Sequence, residues 1–379
     1  MKITKNNYIA SVEKTGIENL PEEIQQAHLY IMKMTDEGKD WSRLKSNESF
    51  TSIAELAFEK LGEFLKHNNG LDGVNDPPYI RQAKEDAKNY QWQDTENLKM
   101  IYRMEIDAEI EGDATPEEMK KITWLNKPYR TEDYKMNADS QAFFVELNGR
   151  LFVVDTCVGN EKQVLGFDGF NNLNLPFLEA IEQAGFDRNK VTDVICTHLH
   201  FDHVGWNTYK ENGEWKPTFP NAKYHFAKEE YEYWENEGFK NHALGPLENV
   251  SFHESIDPIV AAGLVNLIEM DADLGDGISV KPSPGHSKGH VNVHFNAGNE
   301  TFIIAGDMCH HPCQVAQTDW AAIIDYDQKA SGVTRRKILG ELSGSDILVT
   351  CTHFCSPSFG HISGNEADGF IFKTIDKTV

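Results

Sequence analysis

Hydrophobic positions change their spacing along this 379-residue chain. Over residues 51–66, Ile53, Leu56, Ala57, Leu61, Phe64 and Leu65 recur at helical intervals, predicting a helix that Thr51 or Ser52 can cap. Weaker helical patterns cover 22–34 and 80–90, and the Gly-, Asn- and Pro-rich stretch 67–78 predicts a loop. The chain to about residue 110 therefore reads as helical and polar. After Asp113-Ala114-Thr115-Pro116 the pattern shortens, and apolar runs alternate with turns and helices. Residues 141–147 and 151–154 flank Asn148-Gly149, a hairpin signal. Strands are predicted over 191–197, 278–281, 301–305 and 347–350, and helices over 176–184 and 328–342. The expected organisation is a helical extension over 1–112 followed by one α/β domain over 113–379.

Charge narrows the partners. With 36 basic and 60 acidic residues the net charge is −24, which repels phosphate backbones and anionic membranes. Neither nucleic acid nor membrane is expected as a partner. No apolar run reaches the 18 residues of a membrane span, and the N-terminal stretch lacks the apolar core of a leader peptide, so a cytoplasmic location is expected. Six cysteines are too few for a disulfide framework at this length. The Cys309/Cys313 and Cys351/Cys355 pairs admit a third metal site or a redox switch, but buried thiols at strand ends are the expected reading.

The chemistry concentrates in His198-Leu199-His200-Phe201-Asp202-His203, directly after an apolar strand. Residues two apart in extended chain point the same way, so His198 and His200 can grip one ion, and Asp202 and His203 can face a second after the chain turns. Imidazole and carboxylate suit zinc and its divalent neighbours. His286 in SPGHSKGH, Asp307 in AGDM and His353 in TCTH each follow a predicted strand as well. A lone histidine is usually a core or surface residue. Four ligand-type clusters, all at strand ends, form a consistent set.

These motifs resemble those of the metallo-β-lactamase superfamily, over about residue 124 to the C-terminus. Within it, the stretch His353-Phe354 to Phe359-Gly360-His361-Ile362 is similar to the C-terminal site loop of metal-dependent lactonases and methyl parathion hydrolases. The resemblance implies an αββα sandwich, two mixed sheets face to face with helices outside. It implies that His198, His200 and His286 bind one divalent ion, that Asp202, His203 and His353 bind another, and that Asp307 bridges them around an attacking hydroxide. Zinc is the default, with Mn, Fe or Co on the same ligands. Asp202 or Asp307 would shuttle the proton to the leaving group. Asp155, in Val154-Asp155-Thr156, would support the site from behind, as would His290. Phe201, Trp206 and Phe359 are expected to wall a partly apolar cleft, with His310 lining it. His310 and His311 are equally readable as loop residues.

The resulting expectation is a dinuclear hydrolase of small esters, above all lactones, with a homodimer among the assemblies the resemblance allows. Phosphotriesters and thioesters are the alternative substrates, and a non-catalytic metal-binding scaffold is the reading from another class. RNA-processing relatives need a long insertion where only 20 residues separate His286 from Asp307. Many true β-lactamases carry Cys where this chain has Asp307.

Overall fold

The structure, a computed structural model, describes residues 8–17, 20–34, 53–61, 94–95, 98–107, 114–298 and 300–375. The predicted helix over 80–90 and loop over 67–78 lie outside them. The chain forms two compact units, Met1–Arg81 and Gln82–Val379. In the first, helices Tyr8–Thr15, Glu22–Met34 and 53–61 share a core of Tyr8, Val12, Leu20, Ile24, Ile31, Ala54, Ala57 and Leu61. The buried face of the third helix is Ala54–Ala57–Leu61, whereas Leu56, expected inside, is exposed. Positions 54, 57 and 61 fall on one helical stripe, and 56 lies off it.

Among the described residues, the second unit holds two seven-stranded sheets. One runs in the order β1 (Asp94–Thr95), β2 (Leu98–Asp107), β3 (Asn137–Leu147), β4 (Arg150–Val154), β5 (Asp193–Ile195), β8 (Lys223–Ala227) and β9 (Val265–Ile268); a separate hairpin pairs β6 (Thr208–Glu211) with β7 (Glu214–Pro217). The other sheet runs β10 (Asp273–Gly275), β11 (Ile278–Pro282), β12 (Val291–Ala297), β13 (Glu300–Ile304), β14 (Leu348–Thr350), β15 (Gly360–Asn365) and β16 (Gly369–Thr374). β4, β5, β8 and β9 are parallel, as are β13 and β14; the remaining pairs within the two sheets are antiparallel.

The hairpin expected at Asn148-Gly149 joins β3 to β4, with both residues at positive φ (51° and 78°), as a tight two-residue turn requires. Beside the division expected near residue 112, contacts group the chain on either side of Arg81 and Gln82. β2 pairs along β3 from Leu98↔Val145 to Asp107↔Asn137, so the first sheet reaches back into the stretch read as helical.

Apolar residues of both inner faces interdigitate: Phe143, Val145, Phe152, Val154 and Ile195 from one sheet, Ile278, Val280, Val293, Phe295 and Ile304 from the other. The helix Gln328–Leu342 covers the outer face of the second sheet through Leu339 and Leu342, and Asp327 caps it by accepting the Ala330 N–H. The result is the expected αββα layering.

One ion network pins the far end of the first sheet. Asp193 on β5 accepts from Arg150 Nη2 at 2.7 Å and lies 2.8 Å from His225 Nε2. Burial pushes its carboxyl up, but His225, Arg150 and Thr192 outweigh this and hold it well below the usual range. Asp193→Asn should cost ~2 kcal/mol, less than for a fully buried pair because Arg150 is partly exposed. A depressed carboxyl stabilises above its unfolded pKa and loses that contribution as pH falls. The stability gap to wild type in urea titrations should therefore close below about pH 3.8, the unfolded value.

Candidate metal centre

Five strand ends meet at one edge of the sandwich. β4 delivers Asp155; β5 delivers His198 and His200, then the short helix Phe201–Val204 with Asp202 and His203; β11 delivers His286, β13 Asp307 and β14 His353. Gly306, at φ +52°, makes the turn before Asp307 feasible. A Cβ there would stand 2.6 Å from Thr197 Oγ1 and 2.7 Å from His290 Nε2.

Three ring nitrogens face one another: His198 Nε2 lies 3.0 Å from His200 Nδ1 and 3.1 Å from His286 Nε2, and the last two are 2.9 Å apart. Behind them, His286 Nδ1 is 2.8 Å from Asp325 Oδ1 and His198 Nδ1 is 3.1 Å from Thr197 Oγ1. A neutral imidazole whose Nδ1 proton is engaged outward presents a lone pair inward. Lone pairs converging at this spacing, in a buried site, are what a cation would satisfy.

A second group lies alongside. Asp202 Oδ1 is 3.7 Å from His203 Nε2 and its Oδ2 3.4 Å from His353 Nε2. Asp307 Oδ2 sits between the groups, 3.2 Å from His203 Nε2 and His353 Nε2 and 3.3 Å from His286 Nε2. Among the described residues, His203 Nε2 and Asp307 Oδ1 are buried and have no hydrogen-bond partner. Orphaned donor atoms beside converging ligands fit a metal pair.

The groups behind the ligands fix their tautomers. Asp155 accepts the Thr197 N–H at 2.8 Å and the Thr352 hydroxyl at 2.9 Å, and its Oδ2 is 2.9 Å from His203 Nδ1. His353 Nδ1 lies 2.6 Å from the Asp139 carbonyl. His290 stands behind the site: its Nε2 accepts the Asp307 N–H at 2.9 Å and its Nδ1 is 2.7 Å from Ser283 Oγ.

Electrostatics divides the histidines. Burial, reinforced by neighbouring imidazoles, holds His198 and His200 well below their ordinary value. Burial also acts downward on His203 and His353, but the Asp307 and Asp202 carboxylates outweigh it, raising His203 well above normal and His353 to about 9. Asp307 is pushed up by burial yet held low by His203, His353 and His310.

A raised histidine stabilises fully below its unfolded pKa and loses that contribution as pH climbs through the folded value. The metal-free protein should therefore melt progressively lower from pH 6.5 toward about 9. If the cluster holds metal, uptake near pH 7.5 should release protons, because His353 lies at about 9 without it. Calorimetric titrations in buffers of different ionisation enthalpy count them, and zero release would contradict this protonation pattern.

A cleft of about 60 Å³ opens onto Asp202, Asp307, His200, His310 and His353, walled by Val158, Phe167, Phe170, Phe201, Leu244 and Ile324. Phe201 stacks on Phe167 at 5.6 Å and 28°. Of the residues proposed to wall the cleft, Phe201 and His310 line it, whereas Trp206 and Phe359 lie elsewhere. Trp206 stacks on Phe177 at 4.7 Å on the outer side of the first sheet, and Phe359 meets Phe143 edge-on in the core between the sheets. His311 is structural, its Nε2 2.6 Å from the Tyr129 carbonyl. All six cysteines are buried thiols. Asp325, beside His286, Glu230, which accepts the Leu199 N–H, and Glu248, which accepts the Phe201 N–H at 3.3 Å, have no local spacing that links them to these residues; only the folded chain brings them there.

Fold and site together define a two-sheet sandwich that carries, at its strand ends, a histidine–aspartate cluster able to hold metal. The chain belongs to the metallo-beta-lactamase superfamily, whose family model matches residues 138–341. Probable metallo-hydrolases of Mycobacterium tuberculosis (strain ATCC 25618 / H37Rv) and Mycobacterium bovis (strain ATCC BAA-935 / AF2122/97) are each 25% identical over 201 residues, 46% of this chain and 58% of the relative. The chain thus spans little more than half the length of these curated relatives. Among solved structures, AidC, a dizinc quorum-quenching lactonase in complex with a product, is similar at a TM-score of 0.63 and 20% identity, over 76% of this chain and 99% of AidC. AbOPH, a hydrolase in the beta lactamase superfamily, is similar at 0.62 and 19%, over 76% and 98%. At these identities the likeness establishes the fold.

Proposed function

We propose that this chain is a dinuclear metal-dependent hydrolase of small esters, with lactones as its main substrates. The observation that carries the reading is the convergence of seven ligand-type side chains beneath an apolar cleft. His198, His200 and His286 would hold one divalent cation, Asp202, His203 and His353 the other, and Asp307 would face both. When bound, the cations supply a water ionisable near neutral pH and a Lewis acid for the oxygen that gains charge. Zinc suits the donor set, and the lactonase AidC is described as a dizinc enzyme.

The chain's own groups do the rest. Phe167, Phe170 and Phe201 offer an apolar wall to the acyl or alkyl part of a substrate and exclude water from it. Asp202, with 17% of its side chain exposed, faces the cleft and is the better-placed proton carrier; Asp307 is enclosed by imidazoles. His310 reaches the same space, its Nε2 3.3 Å from Asp307 Oδ2.

The test is proton release during hydrolysis of an acyl-homoserine lactone by zinc-loaded protein, with a chelated control. Rapid, chelator-sensitive release is expected. No release from metal-loaded protein would remove the lactonase reading; turnover of a chromogenic phosphotriester or a thioester under the same conditions would then redirect it.

A further inference from the structure

The first triad comes from two loops in different sheets, and one side chain touches both. Glu230, on the helix Lys228–Tyr233 that follows β8, is fully buried. Its Oε2 accepts the Gly289 N–H at 2.7 Å. Its Oε1 accepts the Leu199 N–H at 3.4 Å and the Trp234 indole N–H at 2.9 Å. Leu199 lies between His198 and His200, and Gly289 lies three residues beyond His286.

The approach is close enough to dictate a residue. A Cβ on Gly289 would stand 2.3 Å from the Glu230 backbone nitrogen and 2.6 Å from its Cα. Trp234, held by the same carboxylate, sets its ring against His200 at 5.7 Å and 67°. A carboxylate can accept at both oxygens, which suits three converging N–H donors. An amide cannot, because its NH2 would face one of them.

We propose that Glu230 is a positioning residue for the first metal. By bridging the 198–200 and 286–289 loops it sets the separation of the three facing nitrogens, so the affinity of that triad depends on it and that of the second group does not. This rests on the metal-centre reading above.

The test is cobalt(II) titration of the full chain, following ligand-field absorption and competition with a chromophoric chelator, with the metal-free melting temperature measured alongside. His286→Ala identifies which binding step belongs to the first triad. In Glu230→Gln that step should weaken about tenfold to a hundredfold, with altered absorption bands, while the other step holds. A merely structural Glu230 would lower the metal-free melting temperature and leave both affinities at wild-type values; that result overturns the proposal. If Glu230→Gln does not fold, Trp234→Phe removes one donor to Glu230 and shrinks the ring beside His200. It should weaken the same step several-fold, and an unchanged step there equally overturns the proposal. A wild-type chain that binds no cobalt would refute the metal-centre reading itself, and this inference with it.

Discussion

Asp307→Ala is expected to lower kcat/KM for the preferred ester by about a thousandfold or more, with the fold intact. Its Oδ2 stands within 3.3 Å of nitrogens from both ligand groups, so no other side chain can take its place between them. Positioned metals contribute several kcal/mol of transition-state stabilisation, and each 1.4 kcal/mol is about a factor of ten. The fold should survive because Asp307 sits in a short turn after β13 rather than in either sheet. Without its charge, burial should bring His203 and His353 back down, which relieves the imidazolium cost. Steady-state kinetics and circular dichroism on the same preparation decide the matter: a folded variant with wild-type turnover would end the proposed mechanism.

Asp155→Ala should damage both stability and metal binding. The carboxylate joins the ends of β4, β5 and β14 by accepting from Thr197, His203 and Thr352. Removing it orphans several buried donors at once, a loss of about 3–5 kcal/mol. Residue 155 also sits at φ +54°, where alanine is strained and Asn or Asp is tolerated. Asp155→Asn keeps an acceptor and the backbone preference, so it should lose much less stability. It should still weaken the second group's metal affinity about tenfold to a hundredfold, because an amide NH2 can displace the His203 tautomer. Chemical denaturation and metal competition on the pair separate the two effects, and equal stability of Asn and Ala variants would refute the argument.

The candidate ligand set is legible in the sequence because each member sits beside its own strand signal. In His198-x-His200 the spacing alone puts two side chains on one side of an extended segment. β2 carries a sequence signal too. Leu98-Lys99-Met100-Ile101-Tyr102-Arg103-Met104-Glu105-Ile106-Asp107 places apolar residues at every second position, a half-buried strand pattern that the polar composition of the surrounding residues masks. Trp206 was misplaced because five residues and a helical turn separate it from Phe201, enough to carry it to the other side of the sheet. Glu230 and Asp325 carry no sequence signal of their own. Each is an ordinary acidic residue until the folded chain brings it 31 or 39 positions back to Leu199 or His286.

The converging loops have a thermodynamic consequence. His198 and His286 are 88 positions apart yet their nitrogens lie 3.1 Å apart. A cation held there is a reversible cross-link across a long loop. It closes one that the unfolded chain leaves open, and the larger the loop, the more chain entropy the link removes. Such a link stabilises by RT ln(1 + [metal]/Kd), so the fraction of folded molecules becomes a readout of free metal. On the proposed function, a cell that starves the protein of metal would lose its catalytic capacity twice, first by emptying the centre and then by unlocking the sandwich that carries it.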